Sequence, residues 1–466
     1  MEIIKSIFEN IYSFVWGPPM IIILLLTGLI LSFKSNFFQL LYLPLIFKKT
    51  FGCILKGSKD GFKAMSVALG GTIGVGNIAG VAAAITIGGA GSIFWIWISG
   101  LVGMMTKFSE ICLSVEFSER NDSQETFGGP MVYIKKALPK SMHFLAYIFS
   151  FFCILASFFI GNMVQVNAVA FCVNNSFFVS KIAVGFCIAF IITCLISNNN
   201  RIVNISALFV PLMSLLYIFA TLFIIGKNTY FLPAAFRAII EQAFGINSIT
   251  GGVSGAAIIY SMRVGISKGM FSHEAGMGSS PIAHASAKNA DPVTQGMWGI
   301  IEVFIDTLVV CSLTAFAVLC SNEFRCGTVF SGTELVNKIF CDTFGNIGSK
   351  YLSIAIAMFA FASILGWAFY GKASVYFLFG GKKRYKNIYM ALFIAIIPVG
   401  SIMSSDTIWS FADIFNGLMA FPNIIAIILL NPVVIEKIKL FKGEEFAAKY
   451  NSMQFVRKKM QRNQNL

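Results

Sequence analysis

The sequence predicts an all-α integral membrane protein of about eleven transmembrane helices. Ten form a five-plus-five inverted repeat with two discontinuous helices, and one extra helix precedes them. Three observations predict this. Of 466 residues, 57% are hydrophobic and only 12% are charged, against roughly 25% charged in an ordinary soluble domain. Apolar runs recur at lengths that match the ~20 residues a helix needs to cross a bilayer. Two of those runs, far apart in the chain, are interrupted by stretches rich in glycine and polar residues. Mean hydropathy is +0.78. So few charges cannot cover the surface of a water-soluble protein, and a disordered chain needs low hydrophobicity.

The elements follow in order. The first span covers roughly 15–33. Glu2 and Glu9 dilute a basic start, and basic residues follow the apolar run rather than precede it, so it reads as a membrane helix and not a signal peptide. Residues 36–55 are amphipathic and carry Lys48 and Lys49, as a segment lying on the membrane surface would. Further spans fall at about 64–90, 92–117, 143–173, 178–196, 202–226, 251–285, 293–320, 351–379, 387–403 and 407–432. This divides the chain into an N-terminal transmembrane helix with its amphipathic cytoplasmic segment (1–63), a ten-helix core (64–432, repeats about 64–226 and 251–432) and a basic cytoplasmic tail (433–466).

The net charge of +14 suggests nucleic acid until the charges are placed. They lie in loops and in the tail, between apolar spans, so no nucleic-acid surface is expected. Assigning alternate loops to opposite sides puts 24 Lys and Arg on one side and 7 on the other, with four inside spans. The positive-inside rule then places the N-terminus outside and the tail in the cytoplasm of a multi-pass cell-membrane protein. Ten cysteines include no CxxC pair, and most read as small hydrophobes within apolar runs. Cys320, Cys326 and Cys341 lie close enough in sequence to allow a disulfide. Trp16, Trp95, Trp97, Trp298 and Trp409 fall near span ends, where an aromatic belt would explain them.

The second span contains Gly70-Gly71-Thr72-Ile73-Gly74-Val75-Gly76-Asn77. The seventh contains Glu274-Ala275-Gly276-Met277-Gly278-Ser279-Ser280-Pro281. Each glycine weakens a helix by ~1 kcal/mol relative to alanine, and Pro281 removes a backbone donor. Unwound backbone at membrane depth survives only inside protein or along a wet cavity. The two stretches lie five spans apart and run in opposite directions, the pattern of inverted repeats with a midplane site between them. A broken helix offers free N–H groups to a carboxylate and free carbonyls to a hard cation such as Na⁺. The architecture therefore suits ion-coupled uptake of an anionic or zwitterionic solute such as an amino acid.

Other polar residues deep in spans are few. Gln165, near Asn162 and Asn167, serves either a site or interhelical packing. Asp306, one turn after Glu302, is a functional candidate by its depth, or pairs with Arg263 or Lys268. Lys107 and Glu110, three apart on one helix, pair most simply with each other. Trp367, the one tryptophan in mid-span, either walls a pocket or fills the core. The histidines are too scattered for a metal set.

ALGGTIGVGNIAGVAAAI, SIFWIWISGLVGMMTKFSE, GGPMVYI, IGNMVQVNAVA, GMFSHEAGMGSSPIAHASAKNADPVTQG and VFIDTLVVCSLTAF closely resemble the alanine or glycine:cation symporters, in the same order from about residue 63 to 380. The resemblance implies a fold similar to that of the neurotransmitter:sodium symporters. It also implies Na⁺-driven import of small neutral amino acids, chiefly alanine or glycine, across the lipid bilayer without a further cofactor. By the same resemblance the Gly70 and Ile73 carbonyls and the Ser363 hydroxyl lie at a sodium site. Thr72, Gly74, Gly76, Asn77, Gln165, Gly276, Gly278 and Trp367 are the expected substrate contacts. This chain has Ala362 where the family usually carries a second hydroxyl beside Ser363, and His273 where it often has Asn. Other classes fit less well. A potassium-channel filter would need four copies of a strand such as 72–76 around one axis. An intramembrane enzyme would need a catalytic partner for Asp306 or Glu302. Proton coupling in place of sodium remains an alternative.

Overall fold

The computed structural model describes residues 16–55, 59–120, 126–196, 199–245, 253–325, 327, 330 and 332–464. Helices account for nearly all of them, with one small antiparallel hairpin pairing Glu119–Arg120 with Thr126–Phe127. Among the described residues seven helices are long and apolar enough to cross a membrane: Gly91–Glu116, Lys140–Phe177, Arg201–Lys227, Pro292–Leu319, Asn346–Phe379, Lys383–Ile402 and Ser405–Glu445. Pro18–Lys34 and Lys181–Leu195 are shorter apolar helices. Their large side chains divide by environment, as a bilayer demands: Leu24 and Ile192 are buried, while Ile22, Phe186 and Phe190 face outward.

Both expected breaks are present. Asp60–Thr72 and Gly76–Gly88 are two helices bent by 51° across residues 73–75; together they form the first broken span. Val253–His273 stops at its last residue, and Ser280–His284 resumes after a six-residue gap. In that gap Glu274, Gly276 and Gly278 have φ of 52°, 87° and 79°. The left-handed region is open to glycine at little cost, so two glycines let the chain leave one helix and enter the next within a few residues.

The Gly91–Glu116 helix packs along Val253–His273 and along Pro292–Val303. Its small residues let neighbours approach: a Cβ on Gly103 would lie 2.9 Å from the His273 ring, and one on Gly100 2.8 Å from Thr307. The helices Asn346–Phe379 and Lys140–Phe177 flank the first broken span on its other side.

The helix of the last span continues into the segment expected as the basic tail. One helix runs from Ser405 to Gln464, through Pro422 and Pro432. It is laced to the first helix along its length. The Trp16 indole donates to the Asp413 carbonyl at 2.8 Å, Lys34 donates to Asn431 at 2.8 Å, and Lys442 donates to the Ser35 carbonyl at 3.0 Å. Lys49 in the amphipathic helix Leu43–Leu55 pairs with Glu445.

Two expectations change. Trp16 and Trp298 are buried rather than belted at the membrane surface; Trp298 packs edge-on against Phe51 and Phe62, between the amphipathic helix and the first broken span. Cys320 and Cys341 are free thiols, and Cys326 lies outside the described residues.

Candidate functional site

The first break gathers most of the residues expected there. The Ser363 hydroxyl donates to the Gly70 carbonyl at 2.9 Å. The Gly74 amide donates to Asn77 Oδ1 at 3.1 Å, and the Val75 amide to Gln165 Oε1 at 3.3 Å. A Cβ on Gly74 would lie 2.7 Å from Ser363 Oγ and 3.1 Å from Gln165 Oε1. The absence of a side chain at Gly74 is what lets these groups close around the bend. Ala362 sits beside Gly70, its methyl 3.4 Å from where a Cβ would be, so no hydroxyl reaches the carbonyl from that position. Ile73 is fully buried at the bend. A Cβ on Gly76 would touch the Phe271 ring at 3.3 Å.

Trp367, one turn after Ser363, is fully buried. Its Cβ lies so close to Gly161 that a side chain there could not be accommodated. Its ring meets Tyr370 edge-on at 5.5 Å. The indole N–H has no hydrogen-bond partner among the described residues, which is unusual for a buried donor.

Asp306 joins the two broken spans. Its carboxylate accepts from Asn77 Nδ2 at 2.6 Å, Ser272 Oγ at 2.8 Å and Thr307 Oγ1 at 2.9 Å. It is not among the ion pairs of the described residues; the cation expected nearby, Lys268, lies 3.7 Å from Asp413 instead. A carboxylate held by an amide and two hydroxyls is a group of oxygens that could take a cation or a proton.

The second break is surrounded differently. Thr72 belongs to the edge of this region, its hydroxyl 3.4 Å from Glu302 Oε1. Glu110 accepts from the amides of Gly276 and Gly278, and Asn423 donates to the Gly276 carbonyl at 2.9 Å. The two glycine amides expected to face substrate therefore already have a carboxylate partner. Lys107 donates to the His273 carbonyl at 2.9 Å and to Ser280 Oγ at 2.6 Å, and pairs with Glu302 at 3.2 Å. His284 Nε2 donates to Glu302 Oε2 at 3.1 Å, since a carboxylate only accepts, and its Nδ1 accepts from Gln295 at 2.7 Å. The expected Lys107–Glu110 pairing gives way because each finds a backbone terminus of the break within reach.

Sequence reasoning missed one regularity. Three π-helical segments, Gly76–Gly80, Phe159–Met163 and Phe304–Cys311, each contain or lie within two residues of a polar residue of the site: Asn77, Gln165 and Asp306. A π segment frees a backbone carbonyl, and Gln165 Nε2 donates to the one at Ile160, 3.1 Å away. Small residues beside a buried amide, as in Gly161-Asn162 and Gly76-Asn77, were the available signal.

Helices interrupted at membrane depth, with polar side chains converging on the breaks, define a membrane transporter. Solved transporters share the fold. The structure of MhsT in complex with L-phenylalanine superposes with a TM-score of 0.55 at 13% identity, over 81% of this chain and 97% of that one. A manganese transporter from Eremococcus coleocola gives 0.51 at 14% identity, over 82% and 78%. The chain belongs to the sodium:alanine symporter family, whose model matches residues 1–455. It is 36% identical to the sodium/alanine symporter AgcS of Methanococcus maripaludis over 94% of this chain and 97% of that one. It is 37% identical to an uncharacterized transporter of Haemophilus influenzae over 94% and 96%. To the probable sodium/glutamine symporter GlnT of Bacillus subtilis it is 32% identical, over 96% and 93%. The chain is thus a multi-pass membrane transporter that performs cation-coupled amino-acid symport, and not an enzyme.

Proposed function

We propose that the chain imports a small neutral amino acid, alanine or glycine, together with Na⁺ by alternating access. Its N-terminus lies outside and its tail in the cytoplasm. The observation that carries this is the closure of Ser363, Gln165 and Asn77 around the Gly70–Asn77 bend. The Gly70 carbonyl with Ser363, and the buried Ile73 turn, are the cation's ligands. The amides at Gly74 to Asn77 face the substrate carboxylate. Gln165 exchanges its bond to Val75 for one to substrate. Trp367 and Phe271 bound the space left for a side chain. Thr72 contacts substrate from the side nearer Glu302; Gly276 and Gly278 act through the shape of the second break. The unpartnered Trp367 indole N–H supports a polar neighbour supplied by substrate.

Radiolabelled alanine uptake into proteoliposomes with an imposed Na⁺ or H⁺ gradient tests the reading. Uptake driven by Na⁺, and competed by glycine and serine better than by glutamine or leucine, is expected. Uptake driven by H⁺ alone would replace sodium with a proton. A specific observation favours that second reading over others: Asp306 links both broken spans and has no ion-pair partner among the described residues.

A further inference from the structure

The two breaks differ in what fills their backbone ends. At the first, the Gly70 carbonyl receives a neutral hydroxyl, and the Gly74 and Val75 amides receive neutral amide oxygens. Asp306 meets this break through the Asn77 amide. At the second, both ends meet full charges, and both charges come from one helix. The His273 carbonyl, last of its helix, accepts from the Lys107 ammonium. The Gly276 and Gly278 amides donate to the Glu110 carboxylate. Lys107 and Glu110 stand one turn apart on Gly91–Glu116, and both are fully buried.

The Lys107 ammonium has three N–H donors. They meet a backbone carbonyl, a serine hydroxyl and a carboxylate. Carbonyls at the C-terminal end of a half-helix are what hold a coupling cation in such transporters, and the His273 carbonyl is such an end. A neutral partner can be exchanged for a travelling ion at small cost. A buried ammonium cannot leave, because its removal strands Glu302 without a counter-charge.

We propose that Lys107 and Glu110 are positioning residues that give the second broken span fixed counter-charges. The Lys107 ammonium takes the place of a second co-transported cation, so the travelling cation and the substrate carboxylate are both held by the first broken span. The transport readout of this division rests on the Na⁺-coupled reading above; the binding readout does not.

The test compares wild type, Lys107→Ala and Lys107→Met, purified and in proteoliposomes. Thermal unfolding is measured with Na⁺ against choline, and alanine uptake is titrated with Na⁺. Lys107→Ala exposes three oxygens and leaves room for an ion. It is expected to lose uptake by about tenfold at low Na⁺, to recover at high Na⁺ with a Hill coefficient raised by about one, and to gain a larger Na⁺-dependent stabilisation than wild type. Lys107→Met fills the same space with an apolar chain and is expected to show neither recovery nor the larger shift. Unaltered Na⁺ dependence and an unaltered thermal shift in Lys107→Ala would overturn the assignment.

Should Lys107→Ala not fold, the double variant Lys107→Ala with Glu302→Gln removes both charges and decides the matter. A lysine that merely neutralises Glu302 predicts wild-type uptake in the double variant. A lysine that holds the His273 carbonyl predicts a folded protein with uptake still about tenfold down. Wild-type uptake indifferent to Na⁺ would remove the sodium reading; the Na⁺-dependent thermal shift of Lys107→Ala would still decide the role of the lysine.

Discussion

Ser363 and Gly70 lie 293 residues apart in the chain, and the serine hydroxyl donates to the glycine carbonyl at 2.9 Å. This bond ties the first broken span to the Asn346–Phe379 helix at the point where the carbonyl ladder ends. Ser363→Ala should raise the Na⁺ concentration for half-maximal uptake by about tenfold and alter alanine affinity at saturating Na⁺ much less. Ala362→Ser places a second hydroxyl beside the same glycine and should lower the Na⁺ requirement. Na⁺ titrations of alanine uptake check both, and unchanged curves in both variants would move the ion elsewhere.

Asp306 accepts three side-chain hydrogen bonds, one from each broken span and one from its neighbour Thr307. An amide has one oxygen where the carboxylate has two, so Asp306→Asn leaves a donor unmatched at about 1–3 kcal/mol. Uptake should fall about tenfold or more while Na⁺ dependence persists. Uptake in wild type that follows a pH gradient, and loses that response in Asp306→Asn, would favour the proton instead.

Trp367 should set the size limit. Trp367→Ala is expected to weaken alanine uptake and to admit valine or leucine, each extra buried methylene offering up to ~0.8 kcal/mol. Competition by a panel of neutral amino acids, at matched protein level, measures the rank order. An unchanged order in a well-folded variant would leave Trp367 as a core residue seated on Gly161.

Glycine is required at some positions of the breaks and not at others. Gly278 has φ of +79°, and a Cβ there would lie 2.5 Å from Pro130 and 2.8 Å from Phe149. Gly278→Ala should cost about 1–3 kcal/mol in backbone strain alone, with overlap added. Gly80 has nothing within 4 Å of an added Cβ, so Gly80→Ala should be tolerated. Thermal unfolding of the two purified variants gives the contrast; equal stability would contradict the left-handed conformation at Gly278.

Lys382 and Ser404 flank the two ends of the helix Lys383–Ile402, which at 1.5 Å per residue is about 30 Å long, the thickness of a bilayer core. In a background without reactive thiols, cysteines at 382–386 should label from the cytoplasmic side, and cysteines near Ser404 from outside. Labelling of both from the same side would remove this helix from the set of spans and undo the proposed orientation.

What the sequence revealed depended on range. Hydrophobic run length found the spans, because a bilayer imposes length regardless of partners. Glycine density found both breaks, because backbone that leaves the helix needs freedom nearby. Ionic partners were harder. Lys107 and Glu110 are neighbours on one helix, and local spacing pairs them. The structure gives them to Glu302 and to the Gly276 and Gly278 amides, which are more than 160 residues away, and nothing local encodes that. The tryptophans show the same limit: position within a run placed Trp16 and Trp298 at the membrane surface, while tertiary packing buried them.

The lacing of the first helix to the last has a consequence for biosynthesis. Trp16 and Asp413 are separated by 397 residues, as are Lys34 and Asn431. The early helix enters the bilayer while its partner is still untranslated. At the usual ~5–20 residues per second, it waits roughly 20–80 s for that partner. During that time it can dock on Gly91–Glu116 and then on Val253–His273, both of which are made before the last helix. Closure of the bundle is therefore a late event in synthesis, and a chain stalled before the final span leaves its first helix half-packed, open to surveillance by membrane proteases.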